Sequence, residues 1–164
     1  KTFPDRLRRA DSALETLRRV KSAALRLPVK RPVRNGTISS NYGPRVDPFL
    51  RRLAMHTGID FKAPYGARVY ATAPGTVSGA KWNGGYGKMV EIRHANGFVT
   101  RYAHLSRMHV AEGDHVLAGD LIGNIGSPGR STGPHLHYEI RRPDKPHTPG
   151  AFLTAGGKLA DLSL

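Results

Sequence analysis

The sequence predicts a mainly β domain of short antiparallel strands, preceded by an N-terminal α-helix. Apolar and charged residues alternate from Val90 to Arg93, which is the two-residue period of a half-buried strand. Asn96-Gly97 then offers the residues of a tight hairpin turn, and the segment from 98 to 105 returns as the next strand. The 19 glycines and 12 prolines are typical of short strands joined by many turns.

The N-terminal segment has a different period. Between residues 5 and 27 apolar side chains recur at helical spacing, with arginine and lysine on the other faces. Pro28 ends the predicted helix. Lys21 interrupts the short apolar seam, so the segment is compatible with the end of a longer stalk or coiled coil, or with a helix packed on the domain. The apolar positions are Leu7, Ala10, Ala13, Leu14, Leu17 and Ala24.

These changes of pattern divide the chain into four parts. We predict a helical segment at residues 1–28, a basic linker at 29–37, the main domain at 38–150 and a C-terminal tail at 151–164. A chain of 164 residues is long enough for one domain with a sizeable core and an accessory segment.

The charge balance is strongly basic. The 26 lysines and arginines exceed the 12 aspartates and glutamates, which gives a net charge of +14. Such a balance favours polyanions, such as nucleic acid, anionic lipid or the acidic polymers of a bacterial envelope. Nucleic acid is not expected, because no helix-turn-helix, zinc-finger or RNA-binding signature is present. The absence of cysteine excludes disulfides and thiolate metal sites.

Two histidine clusters carry the most information about function. His56 and Asp60 are four residues apart, and His135 and His137 flank Leu136. Imidazoles together with a carboxylate suit a divalent transition metal, most simply zinc with one coordination position left for water. Hydrolysis is the chemistry that such a site performs.

The spacing of these residues limits how they can meet. On a straight strand His56 and Asp60 would lie about 13 Å apart, too far to share a metal whose ligand bonds are about 2 Å long. The chain must therefore bend between them, and Gly58 permits the bend. His135 and His137 share one strand face, so spacing alone lets either complete the site. A single histidine is more often an ordinary core residue, but here two separate clusters would both have to be accidental.

The segments around these residues resemble a known family. Together with the two clusters, residues 84–92, 100–106 and 126–139 are similar to the lysostaphin-type zinc endopeptidases, which cleave the peptide part of bacterial cell walls. The likeness covers about residues 38–142 and is closest to the Gram-negative type. It implies a zinc endopeptidase domain at residues 38–150, with an open groove and one zinc ion as cofactor.

The resemblance also implies roles for five residues. His56, Asp60 and His137 would bind zinc, whereas His104 and His135 would act in catalysis beside the metal. Residues of this type are needed, because a base must take a proton from the attacking water and a donor must meet the oxyanion and the leaving amine. Histidine serves both roles near neutral pH. Which histidine is the base and which is the donor stays open, and no substrate-binding residue is named.

The implied function is hydrolysis of peptide cross-links in bacterial peptidoglycan, with the D-alanyl-diaminopimelate bond preferred over glycine bridges. Peptidoglycan is then the partner, and the basic surface would add envelope polyanions or regulatory proteins. No apolar run approaches the roughly 20 residues that span a bilayer, and the opening residues are not a secretory signal. We expect a periplasmic or cell-envelope location, and a fragment whose targeting segment has been removed. A membrane tether is compatible with the full-length protein.

Two other functions compete with catalysis. Residues 110–123 resemble the hammerhead turn of biotinyl and lipoyl carrier domains, but no lysine there has the flanking residues that attachment requires. The stronger alternative is a non-catalytic regulator of cell-wall amidases on the same fold, because some relatives have lost zinc ligands. All five implied site positions are filled in this chain, which favours the enzyme.

Several polar residues remain without a firm role. In some relatives an upstream residue occupies the open zinc position, so Asn41 or the loop at 41–53 could do so, but a groove wall is favoured for this loop. Tyr42 and Tyr102 fit contact with substrate or the oxyanion, but aromatic packing in the core or groove fits them at least as well. Four further histidines are predicted to lie at the solvated surface: His94, His109, His115 and His147.

Overall fold

Two helices flank a set of twelve strands in the computed structural model, which describes residues 2–161. The helices are α1 (Phe3–Ala24) and α2 (Pro149–Asp161), and a short 3₁₀ turn spans Gly84–Tyr86. The strands are β1 (Thr37–Ser40), β2 (Gly43–Val46), β3 (Leu53–His56), β4 (Ile59–Lys62), β5 (Arg68–Tyr70), β6 (Gly75–Trp82), β7 (Lys88–Arg93), β8 (Val99–Met108), β9 (His115–Val116), β10 (Leu121–Ile125), β11 (His135–Arg142) and β12 (Lys145–His147). The prediction of a mainly β fold with an N-terminal helix is confirmed.

One antiparallel sheet contains ten of the described strands. Its main order is β1-β4-β11-β8-β7-β6-β9, with β10 paired to β5 and β8, and β12 paired to β11. β2 and β3 form a separate hairpin. β11 lies between β4 and β8, and His137 faces Asp60 on one side and Ala103 on the other. Strand pairing therefore brings three distant segments of the chain together.

The hairpin predicted around Asn96-Gly97 joins β7 to β8. Val90 and Ile92 are fully buried, whereas Arg93 is exposed, as the alternating pattern requires. Gly97 has φ 75°, a left-handed conformation that glycine adopts without steric cost.

A single apolar cluster forms the core beneath the sheet. Each fully buried aliphatic or aromatic side chain contributes about 1.5–3 kcal/mol to stability. The largest fully buried apolar side chains are Ile59, Phe61, Val69, Ile92, Tyr102, Leu105, Ile122, Ile125, Leu136, Tyr138 and Ile140.

α1 buries none of its described residues. It ends at Ala24, before Pro28, and the Asp5 carboxylate accepts a hydrogen bond from the Thr2 N–H at its start. Leu14 and Leu17 on its apolar seam remain exposed. The domain therefore leaves this apolar seam uncovered, and whether the helix is the end of a stalk or coiled coil or packs on the domain stays a prediction. Within residues 2–161, neither helix is both long and apolar enough to cross a bilayer.

The segments predicted as linker and tail both contact the core. Val29 and Val33 are buried, and Val33 belongs to the core cluster. Phe152 and Leu153 of α2 pack against the same cluster, so much of the predicted tail is helical. Lys1 and residues 162–164 lie outside the described residues. The four-part division of the chain stays a prediction.

His94 is buried, and its prediction as a surface residue was wrong. Its Nδ1–H donates to the carbonyl oxygen of Pro74 at 2.7 Å, and its Nε2 lies 2.8 Å from Thr100 Oγ1. Thr100 continues this polar chain to the Tyr102 hydroxyl at 3.0 Å. The neighbouring turn suggested exposure, but the ring points inward to partners that satisfy both nitrogens.

The other three histidines differ in exposure. His109 and His115 are exposed, as predicted. His147 is half-buried, because its ring packs edge-on against Phe98 with the ring centroids 5.6 Å apart.

Burial of His94 makes stability depend on pH. Desolvation lowers the pKa of His94 below its ordinary value of 6.5, and the Pro74 hydrogen bond only partly offsets this. As the pH falls below 6.5, this histidine is therefore protonated more readily in the unfolded chain than in the folded protein. Protonation of the unfolded chain lowers the free energy of unfolding, so the stability associated with neutral His94 is complete above pH 6.5 and is lost as the pH falls below it.

Denaturant unfolding at about pH 7.5 and about pH 5 checks this expectation. Wild type should lose more free energy of unfolding on acidification than His94→Gln, because the variant lacks the titrating ring. The exposed His109→Gln variant should lose as much as wild type. An equal loss in wild type and His94→Gln would contradict the expectation.

Candidate active site

The end of β3, the start of β4 and the middle of β11 converge on one cluster. Asp60 Oδ1 lies 3.1 Å from His56 Nε2 and 2.8 Å from His137 Nδ1, and the two ring nitrogens are 3.2 Å apart. All three side chains are buried. The structure thus brings together the three residues predicted to bind a metal, although their role as ligands stays a prediction.

Gly58 lies at the predicted bend between His56 and Asp60, but the structure requires glycine there for lack of space and not for its conformational freedom. Its backbone is not in the left-handed region that favours glycine. A Cβ atom there would overlap the carbonyl oxygen of Tyr138 and meet His137 Cε1 at 2.9 Å. Glycine is needed because the bend passes so close to β11.

The hydrogen bonds behind the cluster determine which atoms face its centre. His56 Nδ1–H donates to the carbonyl oxygen of Asn41 at 2.7 Å, and His137 Nε2–H donates to Glu139 Oε1 at 2.9 Å. When the two rings are neutral, the opposite nitrogens carry lone pairs that face each other and the Asp60 carboxylate. Three acceptors then converge, and a cation fits their centre in place of the protons that otherwise bridge the rings to Asp60. Their spacing of 2.8–3.2 Å is near the roughly 3.3 Å between tetrahedral ligands about 2 Å from zinc.

Both carboxylates of this cluster are ionised at neutral pH. Burial raises the pKa of Asp60, but hydrogen bonds from His137 and His56 outweigh it and hold the pKa well below its usual range. Burial likewise raises the pKa of Glu139, yet hydrogen bonds from His137 and Thr57 bring it down to about 2. The fixed negative charge adds to the attraction for a cation.

Glu139 is a site residue whose role the sequence motifs did not indicate. It is fully buried and accepts hydrogen bonds from Thr57 Oγ1 at 2.7 Å and from the Tyr86 hydroxyl at 2.9 Å, besides the one from His137. Arg141 Nη1 donates to its other oxygen at 2.9 Å. Its spacing of two residues from His137 on one strand face was the available signal. A carboxylate behind a ligating histidine fixes the tautomer and the orientation of the ring.

His104 and His135 lie together beside the cluster, with ring centroids 4.7 Å apart. His104 Nδ1–H donates to Pro128 O and His135 Nδ1–H to Gly133 O, each at 2.8 Å, which leaves Nε2 of both rings available to a substrate. His135 Nε2 is 3.9 Å from Asp60 Oδ1. The structure places both predicted catalytic histidines next to the cluster but does not assign base and donor.

The backbone and environment of His104 are unusual. Its φ of 59° lies in the left-handed region, which costs energy for a residue with a side chain and is often found at functional sites. Burial lowers the pKa of His104 to about 4. The ring is therefore neutral near pH 7 and can accept a proton.

The loop between β2 and β3 forms one wall of an open groove over the cluster. Asp47 Oδ1 accepts backbone hydrogen bonds from Phe49 and Leu50 at 2.8 Å, which fixes the loop. Arg130 Nη2 from the opposite wall donates to the same oxygen at 2.6 Å. The loop at 41–53 therefore agrees with the favoured groove wall, and Asn41 contributes its carbonyl oxygen to His56.

The tyrosines divide between core and groove. Tyr102 is fully buried and its hydroxyl contacts Thr72, so it packs in the core and cannot touch substrate. Tyr42 packs partly buried against the same core. Tyr86 lines the groove, with its ring centroid 5.8 Å from that of His137. The sequence did not single out Tyr86, because its position depends on a contact with β11.

The sequence pattern of Peptidase family M23 matches residues 54–149, which is more than half of the chain and includes all five predicted site residues. The chain belongs to Peptidase family M23. The resemblance inferred from the motifs is confirmed.

Curated relatives of this M23 chain come from Gram-negative bacteria. It is 53% identical over 112 residues to DD-carboxypeptidase/endopeptidase Mpg of Neisseria meningitidis serogroup B, covering 68% of this chain and 26% of that protein. It is 42% identical over 104 residues to peptidoglycan DD-endopeptidase ShyC of Vibrio cholerae, covering 63% of this chain and 24% of that protein. The chain thus spans about a quarter of the length of these relatives.

Solved M23 structures share the fold. The catalytic domain of lysostaphin from Staphylococcus simulans superposes with a TM-score of 0.68 at 33% identity, covering 73% of this chain and 93% of that one. A zinc containing peptidase from Vibrio cholerae gives a TM-score of 0.65 at 37% identity, covering 75% of this chain and 38% of that one.

Removal of the charge on Glu139 should weaken metal binding. Glu139→Gln should lower the affinity for zinc on the order of 10–100-fold, because His137 loses the carboxylate that orients its ring. Titration of metal-free protein with zinc against a chromophoric chelator measures the effect. Asp120→Asn is the control, since the Asp120 carboxylate accepts a hydrogen bond from the Leu117 N–H at 2.7 Å in an exposed turn that does not line the groove. Equal affinity in both variants would show that Glu139 does not act on the site.

Proposed function

We propose that this chain is a zinc-dependent endopeptidase that hydrolyses peptide cross-links of bacterial peptidoglycan. The observation that carries the proposal is the convergence of His56 Nε2, Asp60 Oδ1 and His137 Nδ1 at the bottom of an open groove. His104 and His135 lie beside this cluster, where a reacting group in the groove would meet them. The names of the relatives support a reaction on peptidoglycan.

Zinc is the metal that these donors suit best. Two imidazole nitrogens and one carboxylate oxygen are a common catalytic zinc set, which leaves a fourth position for water or substrate. When bound, zinc polarises a carbonyl group and makes water more acidic. His56, Asp60 and His137 would hold it, with Asn41 and Glu139 fixing the two rings from behind.

The two histidines beside the ligands move protons and stabilise charge. One ring accepts the proton of the attacking water, and the other donates to the oxyanion and to the leaving amine. The hydrogen bonds to Pro128 and Gly133 keep both rings in place and direct Nε2 to the substrate. Such fixed donors and acceptors need no reorganisation during the reaction.

The preferred substrate bond is the one between D-alanine and diaminopimelate. Both curated relatives bear names of DD-peptidases, which supports this choice over glycine bridges. Peptidoglycan lies outside the cytoplasmic membrane, so we place the protein in the periplasm or cell envelope. The net charge of +14 supports additional contact with anionic envelope polymers or regulatory proteins.

Digestion of purified cross-linked muropeptides, with product masses identified, tests the proposed function. Wild type with about one zinc per chain should cleave the D-alanyl-diaminopimelate bond, and a chelator should abolish cleavage. His137→Ala should lose zinc and activity together. His104→Ala should retain zinc while its rate falls on the order of 10²–10⁴-fold, because it lacks only a proton-transfer group.

Two outcomes would contradict parts of the proposal. Release of zinc from His104→Ala would show that the division between ligands and catalytic residues is wrong. A wild-type protein that binds no zinc and cleaves no muropeptide, yet stimulates a cell-wall amidase, would instead be the non-catalytic regulator.

A further inference from the structure

Arg45 places a positive charge in the groove directly beside the candidate metal ligands. It lies on β2, lines the groove and has a side chain that is 38% exposed. Its Nη2 atom is 3.6 Å from Asp60 Oδ2, whereas Oδ1 of the same carboxylate faces the two histidines. A group bound by Arg45 would therefore lie next to the reaction centre.

The contact with Asp60 leaves the guanidinium of Arg45 free to bind another group. Its distance of 3.6 Å is longer than the roughly 2.7–2.9 Å of a charge-assisted hydrogen bond, and arginine carries five N–H donors. Arg130, which also lines the groove, is engaged differently. It donates to Asp47 at 2.6 Å and stacks over the Phe49 ring at 4.9 Å.

The group that fits this position is a carboxylate. The planar fork of a guanidinium matches the two oxygens of a carboxylate and binds them with parallel hydrogen bonds. A divalent cation held by Asp60 would offset the charge of that carboxylate and weaken its hold on Arg45. An anionic substrate group is then attracted by both positive centres.

The proposed substrate has a carboxylate at the corresponding place. In the D-alanyl-diaminopimelate cross-link, the carbon attached to the scissile nitrogen also carries a free carboxylate. A peptide ending in D-alanyl-D-alanine, which a DD-carboxypeptidase cleaves, has its terminal carboxylate on the equivalent carbon. One carboxylate site would thus serve both of the activities that the name of the Neisseria relative combines.

Resting on the proposed function, we infer that Arg45 binds the free carboxylate on the amine side of the scissile bond. This contact makes Arg45 a specificity-determining residue, which selects cross-links whose diaminopimelate carboxylate is unblocked. It also fixes the direction of the peptide across the groove, because the carboxylate is separated from the scissile carbonyl only by the amide nitrogen and one carbon.

The test compares two cross-linked muropeptide dimers. One has a free diaminopimelate carboxylate next to the cross-link, and the other has an amide in its place. Wild type should cleave the acid with a kcat/KM on the order of 10–100-fold above that for the amide, as expected for hydrogen bonds to a charged group. Arg45→Gln should cleave both dimers at similar, low rates, and Arg45→Lys should recover part of the preference through its point charge.

Two matched variants distinguish a direct contact between Arg45 and the substrate carboxylate from a general effect of positive charge on the protein. Arg130→Gln removes a groove cation that is committed to Asp47, and Arg93→Gln removes an exposed cation on β7. Both should keep the preference for the acid. Loss of the preference in Arg130→Gln but not in Arg45→Gln would overturn the inference.

A binding measurement distinguishes direct recognition of the substrate carboxylate by Arg45 from a role in which Arg45 only positions Asp60. Calorimetry in the zinc-loaded His104→Ala background should show that Arg45→Gln weakens binding of the acid dimer and leaves the amide dimer unchanged. A positioning role alone would lower the zinc content and affect both dimers equally, and that result would overturn the inference.

The wild-type comparison also separates this inference from the proposed function. Equal cleavage of the two dimers would overturn the role of Arg45 and leave the endopeptidase function standing. Cleavage of neither dimer would remove both.

Discussion

The antiparallel pairing of β11 with β4 is the interaction on which the rest of the site depends. It sets His137 opposite Asp60, and the chain bends at Gly58 closely enough for His56 to join them. Because side chains alternate along a strand, a slip of one residue would turn Leu136 into the groove and His137 into the core. The buried Leu136 therefore stabilises the register that exposes the site residues to the groove.

Charge around the site is distributed over a connected set of buried and half-buried groups. Glu139 is the centre of this set, since it contacts His137 on one side and Arg141 on the other. Arg101 lies 3.8 Å from Glu139 and pairs with Glu91 on β7 at 2.8 Å, so it extends the set to that strand. Buried carboxylates without partners would be strongly destabilising, so these cations compensate Glu139 while Asp60 remains available to a metal. The same contacts that satisfy the buried charge thus also orient the ring of His137.

The groove combines a rigid sheet with walls made by connecting segments. The cluster and the two neighbouring histidines lie on or beside sheet strands, whereas Arg45 and Asp47 belong to the β2–β3 hairpin. The bond between Asp47 and Arg130 joins the two walls. Binding groups on connections over a fixed scaffold are a common arrangement in enzymes, because the scaffold holds the reacting groups while the walls select the substrate.

Local patterns in the sequence predicted the hairpin of β7 and β8, the helix α1 and a metal site at the histidine clusters. The hairpin and the helix depend on residues that are close together in the chain. The predicted metal site depends on histidine and aspartate, whose side chains are typical metal ligands. The assignment of His104 and His135 required resemblance to a family, because an isolated histidine has no distinguishing spacing.

Only the tertiary structure showed the contacts of Glu139 and Arg45 and the burial of His94. Each depends on contacts between segments that are far apart in the chain, such as Thr57 with Glu139, which are 82 residues apart. The sequence by itself therefore determined which chemistry the chain carries and where its strands alternate. The fold decided which side chains surround that chemistry, since strand register and close packing set the distances on which hydrogen bonds and charge pairs depend.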